Sequence, residues 1–289
     1  MRKYFVLIFA ILGIYVFGQN LLDIDYPAND FQEEFTVKEA LSIYNNSLQV
    51  LTNDKIIKIL LGEKSLLQYP LNIFSLANID SKYYRLIRNM IFAQYGYIFK
   101  SQDLSRFFSK YEWYKPVNSN VDNFLTDVDR RNIERVQSFE SMNINNRNIA
   151  WDNTRIGIWQ DLPAMAAGWA DRFVIYSDNR MEFYDSQMRQ LGIRFGMTGT
   201  YLIKGNVLEF TVNKIIYRDF DLEIGVSGAS GYSWENSPRN TITLEKPIVY
   251  KFPVTAIETK IMGHEFTRSV IKIGGSEFYK MRDDVNDKF

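Results

Sequence analysis

The sequence predicts an α+β protein: a small helical module followed by an antiparallel β-barrel of about eight strands, or a two-sheet sandwich. Apolar residues recur at helical spacing up to about residue 150 and alternate with a period of two beyond it. Three turn signals in the second half are each flanked by alternating runs. Four asparagines lie within Asn143 to Asn148, where the character of the chain changes. The boundaries expected are a signal peptide over 1–18, a helical module over 19–146 and a β-module over 150–289.

In the helical half, Thr36-Val37-Lys38-Glu39 has the form of a capping box, followed by a stripe at Val37, Leu41, Tyr44, Leu48 and Leu51. The short run Ile56 to Leu61, helix or strand, ends at Gly62. Ser81 to Tyr95 puts Tyr84, Ile87, Ile91 and Tyr95 on one face and stops at Gly96. Ser101 is placed to cap Gln102 to Tyr111. Thr126-Asp127-Val128-Asp129 starts a helix in which Ile133, Val136 and Phe139 repeat every three residues.

In the second half, strands at 172–176 and 181–185 flank Ser177-Asp178-Asn179-Arg180. Tyr201-Leu202-Ile203 and Val207 to Phe210 flank Lys204-Gly205-Asn206. Ile271 to Ile273 and Glu277 to Tyr279 flank Gly274-Gly275-Ser276. Each turn offers residues that tolerate positive φ. Further strands are expected at Ile156 to Trp159, at Thr211 to Tyr217, and around Ile248 and Ile257.

Arg2 and Lys3 followed by an apolar run from Phe5 to Phe17, with Val16 and Gly18 at the −3 and −1 positions, have the layout of a secretory signal cut after Gly18. The run is short for a bilayer span, which leaves an uncleaved anchor as the alternative. No cysteine follows it, which excludes a lipid-anchored bacterial lipoprotein, and no other stretch is long and apolar enough for a transmembrane helix. With no cysteine in the chain, disulfides and thiolate metal sites are excluded. A composition 46% hydrophobic and 15% aromatic argues for a packed core. Net charge is zero and no basic tract occurs, so nucleic-acid partners are not expected.

Arg88-Asn89, then Phe92-Ala93-Gln94-Tyr95-Gly96, then Trp113-Tyr114-Lys115-Pro116 and Asn132-Ile133 resemble the YARHG domain over about residues 81–140. That resemblance implies an extracytoplasmic, cell-envelope setting and no established reaction. At the family's arginine and histidine this chain has Gln94 and Tyr95, and neither replaces an imidazole at neutral pH. Gly157-Ile158-Trp159 at the head of the β-module is similar to the glycine-x-tryptophan start of lipocalin-like barrels.

The inventory for catalysis is thin. One histidine and no cysteine preclude thiol catalysis and the usual multi-histidine zinc site. His264-Glu265 lacks a second histidine and reads as a loop or strand end. Gly225-Val226-Ser227-Gly228-Ala229-Ser230-Gly231 has alanine where a nucleophile elbow needs glycine, and reads as a loop. Asp219, Asp221 and Glu223 alternate along one strand face, nearly 7 Å apart, which favours a solvated face over a Ca²⁺ site. No catalytic residue, metal or cofactor is assigned.

The residues put forward for ligand binding are Trp113 and Tyr114, read as the more exposed members of an aromatic cluster, and Trp159 and Tyr201 in the barrel. A lumen filled by Trp159, Phe173, Tyr201 and Phe210 would leave no room for a ligand. The function expected is a non-enzymatic, exported cell-envelope protein of binding or interaction type, not integral to the membrane after signal cleavage. Its expected partner is a cell-wall glycan or a small apolar ligand. A glycan hydrolase using paired carboxylates and a periplasmic assembly factor are the alternatives.

Overall fold

The computed structural model describes residues 56, 58–145, 149, 151–163, 170–186, 194–218, 239–262 and 266–285. The signal-like segment, the capping box at Thr36, the acidic alternation from Asp219, the glycine-rich 225–231 and His264-Glu265 lie outside the described residues.

After helical residues at 56 and 58–60, the first half has α1 (Ile73–Ala77), α2 (Tyr84–Ala93), α3 (Gln102–Phe108) and α4 (Asp127–Glu140). Helix α1 is started by Asn72, whose side chain accepts from the backbone N–H of Phe74 (2.8 Å) and Ser75 (3.3 Å). Helix α2 is preceded by a 3₁₀ turn at Ser81–Tyr83 and buries Tyr84, Ile87, Met90 and Ile91. Helix α4 starts where expected, at Thr126, and adds a capping box, Thr126 accepting from the Asp129 N–H and Asp129 from the Thr126 N–H. Ser101 precedes α3 in extended conformation but caps nothing. Its hydroxyl is drawn to the Asp103 carboxylate, and Arg85 Nη2 donates to it at 3.0 Å.

The second half is one antiparallel sheet of nine strands in the order β6-β5-β4-β3-β2-β1-β9-β8-β7. The strands are β1 (Gly157–Gln160), β2 (Arg172–Ile175), β3 (Arg180–Tyr184), β4 (Arg194–Lys204), β5 (Val207–Arg218), β6 (Arg239–Pro253), β7 (Glu258–Met262), β8 (Phe266–Ile273) and β9 (Ser276–Arg282). All three expected hairpins are present, with Asn179, Gly205, Gly274 and Gly275 at positive φ in their turns. The two runs expected at Val207 and Thr211 are one strand, β5.

The closed barrel and the two-sheet sandwich are both corrected. Among the described residues there is a single sheet, and its hydrogen-bonded ladder ends at β6 on one side and β7 on the other. The reason lies in β6 and β7 being consecutive stretches of chain. β6 pairs with β5 as far as Pro253↔Val207, then Val254 bridges to Ile273, and the chain continues as β7 along β8. Among the described residues the chain past β6 thus bridges to β8, backed by Thr255 N–H to Lys272 O (3.2 Å) and Gly274 N–H to Pro253 O (2.9 Å).

One hydrophobic core unites helices and sheet. Along the sheet's inner face, Trp159, Phe173, Phe183 and Met197 stand in register on four neighbouring strands, every one buried. Phe74 of α1 drops onto this face, its ring 4.6 Å from Phe183, 4.9 Å from Tyr250 and 5.1 Å from Phe252. The tip of the β8–β9 hairpin seats against α4. A Cβ at Gly275 would lie 2.6 Å from Arg135 Cα, so only glycine lets hairpin and helix approach this closely. The asparagine-rich joint is anchored to the β4–β5 tip: Asn143 N–H donates to Asn206 Oδ1 at 2.7 Å, and Asn206 Nδ2 donates to Ser141 O at 3.1 Å.

Candidate functional site

The signature segment ends α2. Gly96, at φ +70°, lets the chain reverse under Lys115, whose carbonyl oxygen would lie 2.4 Å from a Cβ at that position. The reversal aims Gln94 and Tyr95 at the start of α4. Gln94 Nε2 donates to Asp129 Oδ1 (2.9 Å) and the Tyr95 hydroxyl donates to Asp129 Oδ2 (2.7 Å). Asp129 is 2% exposed, and Oδ2 also accepts from the Thr126 N–H (2.9 Å) and hydroxyl (2.7 Å). A buried carboxylate with this many donors is held in one place, and it ties the end of α2 to the start of α4. Burial, with the bond to Asp129, pushes the Tyr95 phenol up to about 12. At neutral pH Tyr95 is thus a neutral donor with a structural bond to make.

Around this node, Arg88 Nε donates to Glu140 Oε2 at 2.9 Å, joining α2 to the end of α4. Asn132, fully buried on α4, accepts from the Leu71 N–H (2.8 Å) and donates to the carbonyls of Tyr69 (3.0 Å) and Leu67 (3.3 Å). One amide side chain thereby satisfies three backbone groups of the segment leading into α1. Neither this role nor that of Asp129 is visible in the sequence, where Asp129 stood only in a helix start and Asn132 only in a family-like pair.

The four residues put forward for ligand binding lie in two places. Tyr114 is 5% exposed and its hydroxyl donates to Tyr97 O at 2.6 Å. Trp113 is half-buried; Tyr111 stacks on it at 5.2 Å and 7°, and Lys64 Nζ sits 5.2 Å from its ring centroid. The expectation that this pair is exposed is thus corrected for Tyr114 and half met for Trp113, because the chain turns at Tyr111 to pack both against the helices. In the sheet, Arg155 joins the other two: its Nε donates to the Tyr201 hydroxyl (2.7 Å), and its carbonyl accepts from Trp159 Nε1 (2.8 Å). Trp159 is fully buried and Tyr201 7% exposed. With Phe173 and Phe210 fully buried as well, all four rings expected to decide the lumen belong to the protein's core.

A shallow groove of about 420 Å³ runs beside α3, lined by Phe99, Lys100, Gln102, Ser105, Arg106 and Ser109, with no acidic residue among them. Next to it, the Arg85 guanidinium and the Ser101 hydroxyl hold the Asp103 carboxyl well below the usual carboxylate range. Other acids on the surface are similarly engaged: Glu209 faces Lys251 at 3.5 Å, and Glu277 holds Lys260 and accepts from the Tyr279 hydroxyl at 2.6 Å.

Residues 58–141 match the model of the YARHG domain, a span that begins ahead of α1 and closes at the end of α4. This domain is generally found in extracytoplasmic proteins. No curated protein and no solved structure matches the chain. Among the described residues, no helix is long and apolar enough to cross a membrane.

Proposed function

We propose that this chain is an exported cell-envelope protein of interaction type, without catalytic activity, that meets its partner on an outer surface. One observation carries the reading. The inner face of the sheet, where an apolar ligand would be held, is filled by Phe74 and the rings of Phe173, Phe183, Tyr250 and Phe252 around it. A face packed with interlocking aromatics has no volume to give to a guest. Signature residues Gln94 and Tyr95 spend their polar atoms on Asp129, so they support a scaffold more than a reaction. The groove beside α3 lacks the two facing carboxylates that a glycan hydrolase needs.

The test is quantitative sedimentation of the purified chain with isolated cell envelopes, beside titrations with palmitate and with peptidoglycan fragments. Saturable retention on envelopes, without uptake of one palmitate per chain, is expected. Stoichiometric palmitate uptake would overturn the reading in favour of an enclosed site. Release of reducing sugar ends from peptidoglycan would replace it with the hydrolase.

A further inference from the structure

The two ends of the ladder differ in how they are defended against pairing. An edge strand presents unpaired N–H and C=O groups, and natural sheets guard such edges with charges, bulges and proline. β6 has all three. Its pairing with β5 jumps from Val212↔Ile248 to Lys214↔Thr243, and the extra residues include Glu245, Lys246 and Pro247, all exposed. Helix α1 also packs on this strand, through Phe74 against Tyr250 and Phe252.

β7 has neither bulge nor proline, and its charges are one glutamate and one lysine, Glu258 and Lys260. Its five residues, Glu258–Met262, run in unbroken register with β8 and contain no proline. Its lysine, the usual guard, is turned back onto Glu277 of β9. Ile261 is 79% exposed, the most exposed large hydrophobic side chain among the described residues. Among the described residues, β7 pairs with β8 alone. The Trp151 indole caps the Thr255 carbonyl at 3.0 Å, just before the strand begins, and β7 itself has no such cover among the described residues.

We infer that the outer edge of β7 is a docking site for a short extended polypeptide segment of a partner protein, which adds to the sheet as a further strand. The inference rests on the interaction reading above and narrows its partner. The edge offers backbone donors and acceptors, and the ligand that matches such a row is another extended backbone. Its length selects among occupants. A five-residue strand spans about 17 Å, too little for the 1,200 Å² or more that a stable dimer buries, while a short peptide is held well by this mode.

Side chains set the preference. Ile261 lies on one face, where it is matched by an apolar residue. Glu258 and Lys260 lie on the other, and Lys260 is already neutralised by Glu277. The exposed Glu258 therefore calls for a basic neighbour, and the partner segment alternates apolar and basic residues.

The test uses the full chain and a fluorescein-labelled, acetylated Lys-Ile-Lys-Ile-Lys-Ile peptide, read by fluorescence anisotropy. Two control peptides replace lysine by glutamate or carry N-methylated backbone amides. Saturable binding is expected, weakened about tenfold or more by each control and by Ile261→Lys. The thermal midpoint of Ile261→Lys should stay at the wild-type value, since the side chain is exposed. Absence of saturable binding would overturn the inference, as would binding indifferent to both N-methylation and Ile261→Lys. A dimer in sedimentation velocity that Ile261→Lys abolishes, with no peptide bound, would also overturn it and give the edge to a second copy. Envelope retention that persists while peptide binding fails would sink this inference alone; loss of both would sink the interaction reading too.

Discussion

Single side chains in the helical half act as ties between segments distant in sequence, and their loss is measurable. Tyr95→Phe removes one of the donors to Asp129 and is expected to cost about 1 kcal/mol in denaturant unfolding, a modest figure because Tyr95 is half-exposed. Its pH dependence has a definite sign. The folded state raises the phenol's pKa from the ordinary value near 10 to about 12, so it favours the neutral form. The stabilisation is complete below about pH 10 and is lost as pH climbs through 12. Tyr95→Phe should therefore lose stability less steeply than wild type across that window, and ultraviolet titration should count one fewer late-ionising phenol. Asn132→Ala is the severer change. It strands the buried Leu71 N–H and Leu67 carbonyl and the part-buried Tyr69 carbonyl, and about 3 kcal/mol is expected from chemical denaturation.

At the scale of elements, legibility followed locality. The helix start at Thr126 and the turn residues Asn179, Gly205 and Gly274 were readable because each depends on its own few neighbours. Helix α1 is five residues long, too short for a periodic stripe, and escaped notice although Asn72 caps it. Its weight comes from where it lands. Phe74 is 2% exposed and touches four rings from β2, β3 and β6, so Phe74→Ala should cost about 4 kcal/mol and open a cavity on the sheet's inner face. A gain of stoichiometric binding of a small aromatic such as benzene by that variant, absent in wild type, would show that the plug and nothing else excludes ligands from this face.

At the scale of the whole molecule, the core runs without a break from α2 and α4, through Phe74 and the β8–β9 tip, into the sheet. Elements that share one core lose their packing together, so far-ultraviolet circular dichroism and tryptophan fluorescence should report one coincident unfolding transition. Separate midpoints for the two probes would mean that the helices and the sheet are independently stable. The sequence alone determined the change from helices to strands, the three hairpins and the likeness of about residues 81–140 to the YARHG domain, because caps, turns and periodicity are local properties of the chain. Only the tertiary structure decided that the sheet stays open at β6 and β7, that Gln94 and Tyr95 converge on Asp129, and that Phe74 fills the inner face. Those outcomes depend on which distant segments meet, and no run of neighbouring residues encodes that.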